Sequence, residues 1–349
     1  IALAPGASSP LQFVLSNNEG KSDVRASWTA SVPGGLSMQP AHGSVRASAF
    51  NQGNVNATVV ADAQAPSGFY DVSIVGKTSN GALLPHVAAV VRVVRAGEVA
   101  HFAYAANFTD NSITPIDLRT HAFGSPIPVG KSPGDVAISP DGTRIYTANQ
   151  GSNDVTVVDA ATPSVVGDVG VGKTPAGLVV SPDGSTVWVS NYGDNTVQAI
   201  DAKTLTASTP IPVGSQPEVV TISPDGSTTY VVDQGSNDVT AIDAHTRTVR
   251  EHITVGEHPF GAVVSADGKT LYVDNAVGNN VSVVDLTRGG VVAAVPVGRV
   301  PQGMALSPDG STLYVTNSGS MSVTPIDTRA NVAKVPIPVG SGPFGAAFT

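Results

Sequence analysis

The chain has 349 residues, a formal net charge of −9, 37 Gly and 26 Pro, and only 13% charged residues. That length holds two ordinary domains, and the balance is that of a turn-rich all-β protein, not a helical or disordered one. With no Cys, disulfides, thiolate metal sites and Cys nucleophiles are excluded. No apolar run reaches membrane-spanning length, so no transmembrane segment is expected. A Cys-free chain that starts at Ile1 reads as a processed, exported protein, extracellular or at the cell surface, with any leader upstream.

In residues 1–95 the runs "LQFVLSNN", "VRASWTASV", "VNATVVAD", "GFYDVSIVGKT" and "HVAAVVRVV" alternate as strands do, with Gly, Pro and Asn turns between them. They predict a β-sandwich of about seven strands. "LAPGASSPLQFVLSN", "ASWTASVPGGLSMQP" and "APSGFYDVSIVGKT" resemble the Ig-like domain attached to secreted α-galactosidases. The resemblance implies an accessory, non-catalytic domain. The short "RAGEVA" then leads into a different pattern.

From residue 98 a 42-residue period takes over. A turn Pro recurs at Pro133, Pro175, Pro217, Pro259, Pro301 and Pro343. A "DG" turn recurs at Asp141, Asp183, Asp225, Asp267 and Asp309, and an aromatic at Tyr104, Tyr146, Trp188, Tyr230, Tyr272 and Tyr314. Six further aspartates, Asp117, Asp159, Asp201, Asp243, Asp285 and Asp327, end the third run of each unit. Each unit holds four short β runs, in the second unit "GDVAIS", "RIYTAN", "DVTVVD" and "SVVGDVGV". Four strands at a period near 40 is the signature of a propeller blade.

"IYTAN", "VWVSN", "LYVDN" and "LYVTN", preceded by "SPDG" and followed by "VTVVD", resemble the YVTN repeats of bacterial and archaeal β-propellers over residues 98–349. The expected fold is therefore all-β: an Ig-like β-sandwich over 1–95, then a six-bladed propeller over 98–349. The first unit starts at its second strand and the chain ends on a lone inner-strand copy, "GPFGAAFT". The ring should close by pairing the C-terminal strand with the N-terminal ones, which removes the sheet edges. The family more often has seven blades.

The charge divides unevenly: +2 over residues 1–95 and −11 over the remainder. Eleven acids of the second part are the repeat aspartates, which bond local backbone amides in turns. The acidity is thus mostly scaffold, and without a basic stripe to replace phosphate counterions nucleic acid is disfavoured as a partner. "QGSNDVTVVDA" at 150–160 and "QGSNDVTAIDA" at 234–244 are near-identical for the same reason, each being a turn and a strand.

Inside so regular a repeat, variation is the best site signal. One face carries the near-verbatim "SPDG" and "DAAT" loops; the other carries "VGxxPxG" and "NxGSN", where residues differ between units. On that face Glu218, Asp233 and His258 are the acid/base candidates, with Glu218 expected to face Asp233. Lys173, Tyr192, Gln234, Glu257, Phe260, Arg299 and Gln302 are candidate ligand contacts, joined by Phe108 and Phe344, which should meet where the termini close the ring. Flat aromatics there suit a sugar ring or a partner protein. The ring of Asn107, Asn149, Asn191, Asn275 and Asn317, with Asp233 in the sixth place, reads as a turn device; a divalent cation held near the axis is the alternative. No cofactor motif, G-x-S-x-G, HExxH or phosphate loop is present. Two functions fit: a binding protein for a carbohydrate or protein, or an enzyme acting on a sugar lactone, glycoside or uronate, as the resemblance to lactonase-like propellers implies.

Overall fold

The computed structural model describes residues 102–118 and 122–346, together with the backbone of the strands that lie within residues 2–93. No helix occurs among the described residues. The chain divides into two compact units: one holds residues 1–105 with 113–127 and 160–164, the other 106–112, 128–159 and 165–349.

The N-terminal strands form two sheets. In one, Ala2–Leu3 pairs in parallel with Val87–Val93, which continues antiparallel through Gly68–Thr78 and Val24–Ser31 to His42–Ala47. In the other, Gln52–Ala61 lies between Ser8–Ser16 and Leu36–Gln39. The five predicted runs are all strands, and the short pair 36–39 and 42–47 adds to them.

Six antiparallel sheets follow in the repeat region. In the second repeat the strands run in chain order as Pro133–Ile138, Arg144–Asn149, Asp154–Asp159 and Ser164–Gly170, here termed inner, second, third and outer. The fourth (Pro217–Ile222 to Thr248–Thr254) and fifth (Pro259–Val264 to Val291–Pro296) repeats are the same. In the third and sixth repeats the outer strand is broken into Thr206–Ala207 plus Ile211–Pro212 and Val332–Ala333 plus Ile337–Pro338. Pro210 and Pro336 explain the break, because proline removes a ladder N–H and is tolerated only at an edge. The first sheet has three strands, Phe102–Asn107, Ser112–Asp117 and Ile127–Pro128, and no inner strand.

In the second to fifth sheets the second and third strands are buried on both faces, so their sequences read as runs of Val, Ile and Ala rather than as alternation. The recurring aromatic binds one sheet to the next. Tyr146 packs with Val187, Val189 and Ile200 of the following sheet, Trp188 with Val220, Val231 and Ile242, Tyr230 with Leu271 and Val273, and Tyr272 with Leu313 and Ile326. Each such side chain, fully buried, contributes about 1.5–3 kcal/mol. Neighbouring sheets stacked face to face around their inner strands give a β-propeller fold.

Every complete inner strand is bulged directly after its proline, with the register shifting between Pro133 and Asp135, Pro175 and Leu178, Pro217 and Val220, Pro259 and Ala262, and Pro301 and Met304. A bulge frees backbone N–H groups and re-aims side chains. It falls on the residues that vary between repeats.

Candidate functional site

The variable face is built by the loop before each proline and the turn after each second strand. Within a sheet the two are clamped by backbone bonds, for example Gln150 N to Ser132 O at 3.0 Å and Gly151 N to Lys131 O at 2.9 Å. A second clamp joins consecutive sheets. The turn residues Asn111, Asn153, Asn195, Asn237 and Asn279 adopt positive φ, and each Oδ1 accepts the backbone N–H of the residue before the next proline, at 2.7–2.9 Å. Asparagine tolerates that conformation and supplies the acceptor at once. The sixth turn places Met321 there instead, with φ 52° and 54% exposed. This substitution lies outside the residues singled out by sequence; aligning the turns position by position would have shown it.

Other apolar residues of these loops and turns are exposed as well. Val277 in the fifth turn, Val300 before Pro301, and Phe344 are 57%, 38% and 61% exposed, and Phe108 in the first turn is 53% exposed. Phe344 stands edge-on to Phe260, with ring centroids 5.5 Å apart and an interplanar angle of 81°. Phe344 therefore has Phe260 as its ring partner, not Phe108 as expected: the C-terminal segment brings Phe344 toward the inner strand of the fifth repeat. The second to fourth repeats present polar groups on the same face. The Lys173 ammonium lies 3.7 Å from Asp194, Tyr192 is half-buried, and Gln234 is buried beneath its turn. Glu257 and His258 are exposed, and both work through their backbone: Gly278 N and Ala276 N bond to their carbonyls. The Arg299 guanidinium donates to Gly319 O at 2.9 Å, and Gln302 Oε1 accepts from Ser318 Oγ at 2.9 Å.

Near the inner strands three carboxyl groups stand out. Glu218, half-buried in the bulge, has its pKa raised by burial and then by the nearby Asp135 charge. Asp135 is itself raised by burial, against which its bonds from Leu178 N at 2.9 Å and from its own sheet at Val136 N work. Asp274 is fully buried and accepts Gly261 N at 2.8 Å and Gly303 N at 2.9 Å, tying two bulged inner strands together. Burial pushes its carboxyl up to about 6. Ser190 bridges likewise in the third repeat, accepting Gly177 N and donating to Glu218 O, whereas Thr316 in the sixth bonds its own inner strand, at Gln302 O and Gly303 O. Asp135 and Asp274 went unremarked at the level of sequence because only the bulge reveals which amides need an acceptor.

Asp233 is not part of that group. Its side chain is directed outward within its sheet, away from the inner strands, and is fully buried. The Thr240 hydroxyl donates to Asp233 Oδ2, and His252 Nδ1 of the outer strand is 3.1 Å from the same hydroxyl. The expected Glu218–Asp233–His258 constellation therefore divides: Glu218 lies within reach of the Asp135 charge, and Asp233 is grouped with Thr240, Asp238 and His252. The equivalent asparagines behave alike. Asn149 donates to Asp154 Oδ1 at 2.7 Å and Thr156 Oγ1 at 2.9 Å, and Asn191, Asn275 and Asn317 make the corresponding bonds. Through these amide bonds they act as turn fasteners, and the Oδ1 of each of the four is buried without a hydrogen-bond partner among the described residues. The glycine of the first five "VG" pairs is needed here, since a Cβ on Gly214, for example, would come within 2.6 Å of Asp233 Cβ.

The opposite face is uniform. Asp141, Asp183, Asp225, Asp267 and Asp309 each accept a serine hydroxyl two residues back at 2.5–2.6 Å. Those bonds lower all five, Asp225 and Asp309 to about 2. A concavity of about 740 Å³ lies on this face between the third and fourth sheets, and similar ones recur between the neighbouring pairs. Recurrence marks them as the spaces between blades.

Solved structures agree with this architecture. A structure of Kuenenia stuttgartiensis hydrazine synthase is 26% identical, with a TM-score of 0.63 over 70% of this chain and 85% of that one. A protein described as functionally unknown, from Desulfotomaculum acetoxidans, is 16% identical, with a TM-score of 0.61 over 79% of this chain and 95% of that one, and speaks to the fold alone. No curated protein matches. The choice-of-anchor I domain matches residues 41–274, from the N-terminal strands into the fifth repeat, and the chain belongs to that family.

Proposed function

We propose that this chain is a secreted or cell-surface binding protein that engages a carbohydrate or protein partner through the variable propeller face. In this reading residues 98–349 form a six-bladed ring of YVTN-type repeats and residues 1–95 an Ig-like spacer. The C-terminal segment supplies the inner strand that the first sheet lacks. Support for closure comes from Gly303: a Cβ there would lie 2.4 Å from Phe344 O, as one on Gly177 would lie 2.5 Å from Glu218 O of the next inner strand. Residues 344–345 thus occupy the place of a further inner strand. Closure makes Phe260, Val277, Val300, Met321, Phe344 and Phe108 one apolar arc.

Met321 carries the reading. At that turn the scaffold calls for asparagine, and a methionine in left-handed backbone costs about 1–2 kcal/mol without returning a hydrogen bond. Five repeats keep the asparagine, and the sixth gives it up for an exposed thioether. Strain retained at an exposed apolar residue is a mark of a recognition surface, and the aliphatic members favour a protein over a sugar. The family's description, a choice-of-anchor domain, fits a surface-anchored or secreted setting.

Glycan arrays and pull-downs from cell-surface fractions, run with wild type, Met321→Asn and a Thr143→Ala control on the opposite face, test this. Wild type and control should share a ligand that Met321→Asn binds at least tenfold more weakly. Identical profiles for all three overturn it. An enzyme acting on a sugar-derived substrate is the second reading, favoured by the raised Glu218 carboxyl beside Asp135, an environment suited to a general acid. Turnover that survives Glu218→Gln removes it.

A further inference from the structure

The fourth repeat breaks the scaffold in a second way. In the second repeat, Asn149 Nδ2 donates across to Asp154 Oδ1 at 2.7 Å, and Thr156 Oγ1 donates to Asp168 at 2.7 Å. The fourth repeat keeps the acid, as Asp238, and the hydroxyl, as Thr240. It replaces the amide donor with the carboxylate of Asp233 and the outer-strand Asp168 with His252. Two carboxylates now face each other with no N–H between them. In the first, third, fifth and sixth repeats the residue opposite the asparagine is Ser112, Thr196, Asn280 or Ser322, so no other repeat has acids at both places.

Asp233 is fully buried; its Oδ1, like that of Asn149, Asn191, Asn275 and Asn317, has no hydrogen-bond partner among the described residues, but only Asp233 brings a carboxylate to this position. One donor atom from each of Asp233, Asp238 and His252 lies within 4.8 Å of the others, and His252 Nδ1 is 3.4 Å from Asp238 Oδ2. Two ligands held at about 2.1 Å by a tetrahedral ion are about 3.4 Å apart, so the pair already has the required separation. Ser236 Oγ donates to the other oxygen of Asp238 at 2.6 Å, the outer contact that orients a ligating carboxylate. His252 is half-exposed, which gives the cluster an entry path from solvent.

We propose that Asp233, Asp238 and His252 hold a first-row divalent cation of the zinc class at the turn of the fourth repeat. Two carboxylate oxygens and one imidazole suit Zn²⁺ better than Ca²⁺, and three protein ligands leave a position for water or for a donor from a partner. This site stands on the outer part of its sheet, away from the apolar arc, and does not depend on the proposed function.

The test uses the full chain, stripped with chelator and titrated with Zn²⁺ by calorimetry, with metal content counted and thermal unfolding followed; Mn²⁺ and Ca²⁺ form parallel arms. Wild type should take up one Zn²⁺ and unfold several degrees higher. Asp233→Asn restores the residue of the other repeats and so keeps the fold; it should bind at least tenfold more weakly and lose the thermal gain, as should His252→Gln. No Zn²⁺ uptake by folded wild type overturns the site, as does equal affinity in both variants. Tight Ca²⁺ binding indifferent to His252→Gln overturns the ligand set.

Discussion

The turns at 150–155 and 234–239 have the same six letters, QGSNDV, and enclose different chemistry. In the second repeat the preceding Asn149 closes the turn with neutral donors; in the fourth, Asp233 leaves two carboxylates and a histidine together. The sixth turn differs in another direction, giving up the inter-sheet asparagine for Met321. In a repeat protein the shared letters report what the fold demands, and a departure that costs stability reports what the fold was not selected for. The terms that hold the blades together can be separated experimentally from those that break the pattern.

The largest effect belongs to the shared part. Trp188→Ala empties the space between the third and fourth sheets and should destabilise by about 3–5 kcal/mol, read from denaturant midpoints. A loss under 1 kcal/mol would mean that the blades are not held by these aromatics.

Next comes pH. Asp274 titrates near 6 in the folded protein against 3.8 ordinarily, so its contribution is complete below pH 3.8 and is lost as pH rises through about 6. Asp225 and Asp309, lowered to about 2, act in the opposite sense: their contribution is present above 3.8 and lost as pH falls through about 2. Asp274→Thr, the residue the sixth repeat carries at this position, should remove the decline between pH 4 and 6, worth ~3 kcal/mol at most, and leave the acid limb intact. An unchanged slope in that window refutes the assignment.

The smallest effects sharpen the comparison of the turns. Asn237→Ala loses the bond to His258 N and puts Ala at φ 59°, for a cost of about 1–2 kcal/mol. Met321→Asn should instead stabilise by about 1 kcal/mol. Equal and opposite signs, measured by thermal unfolding, are the expected pair; a destabilised Met321→Asn would show that the methionine packs.

Much of this was legible in one dimension. A 42-residue period with its Pro, Tyr/Trp and Asp positions specified four-stranded sheets, their order and the buried aromatic, because strand burial and turn chemistry are local and repeat with the sequence. The contrast of a uniform and a variable face was legible for the same reason. The pairings on the variable face were not. Glu218 and Asp233 are neighbours across a strand pair, and sequence placed them together; the bulge after Pro217 and the outward-facing ladder position of Asp233 send their side chains to different partners.

What the sequence determined by itself, then, is the repeat: alternating apolar residues, positive-φ asparagines and turn aspartates, each acting over a few residues of chain. What only the tertiary structure decided is which unlike residues meet: Phe260 with Phe344, Glu218 with Asp135, Asp233 with His252. Those pairs are 19 to 84 positions apart, and their geometry depends on bulge, register and sheet stacking, which no local pattern encodes.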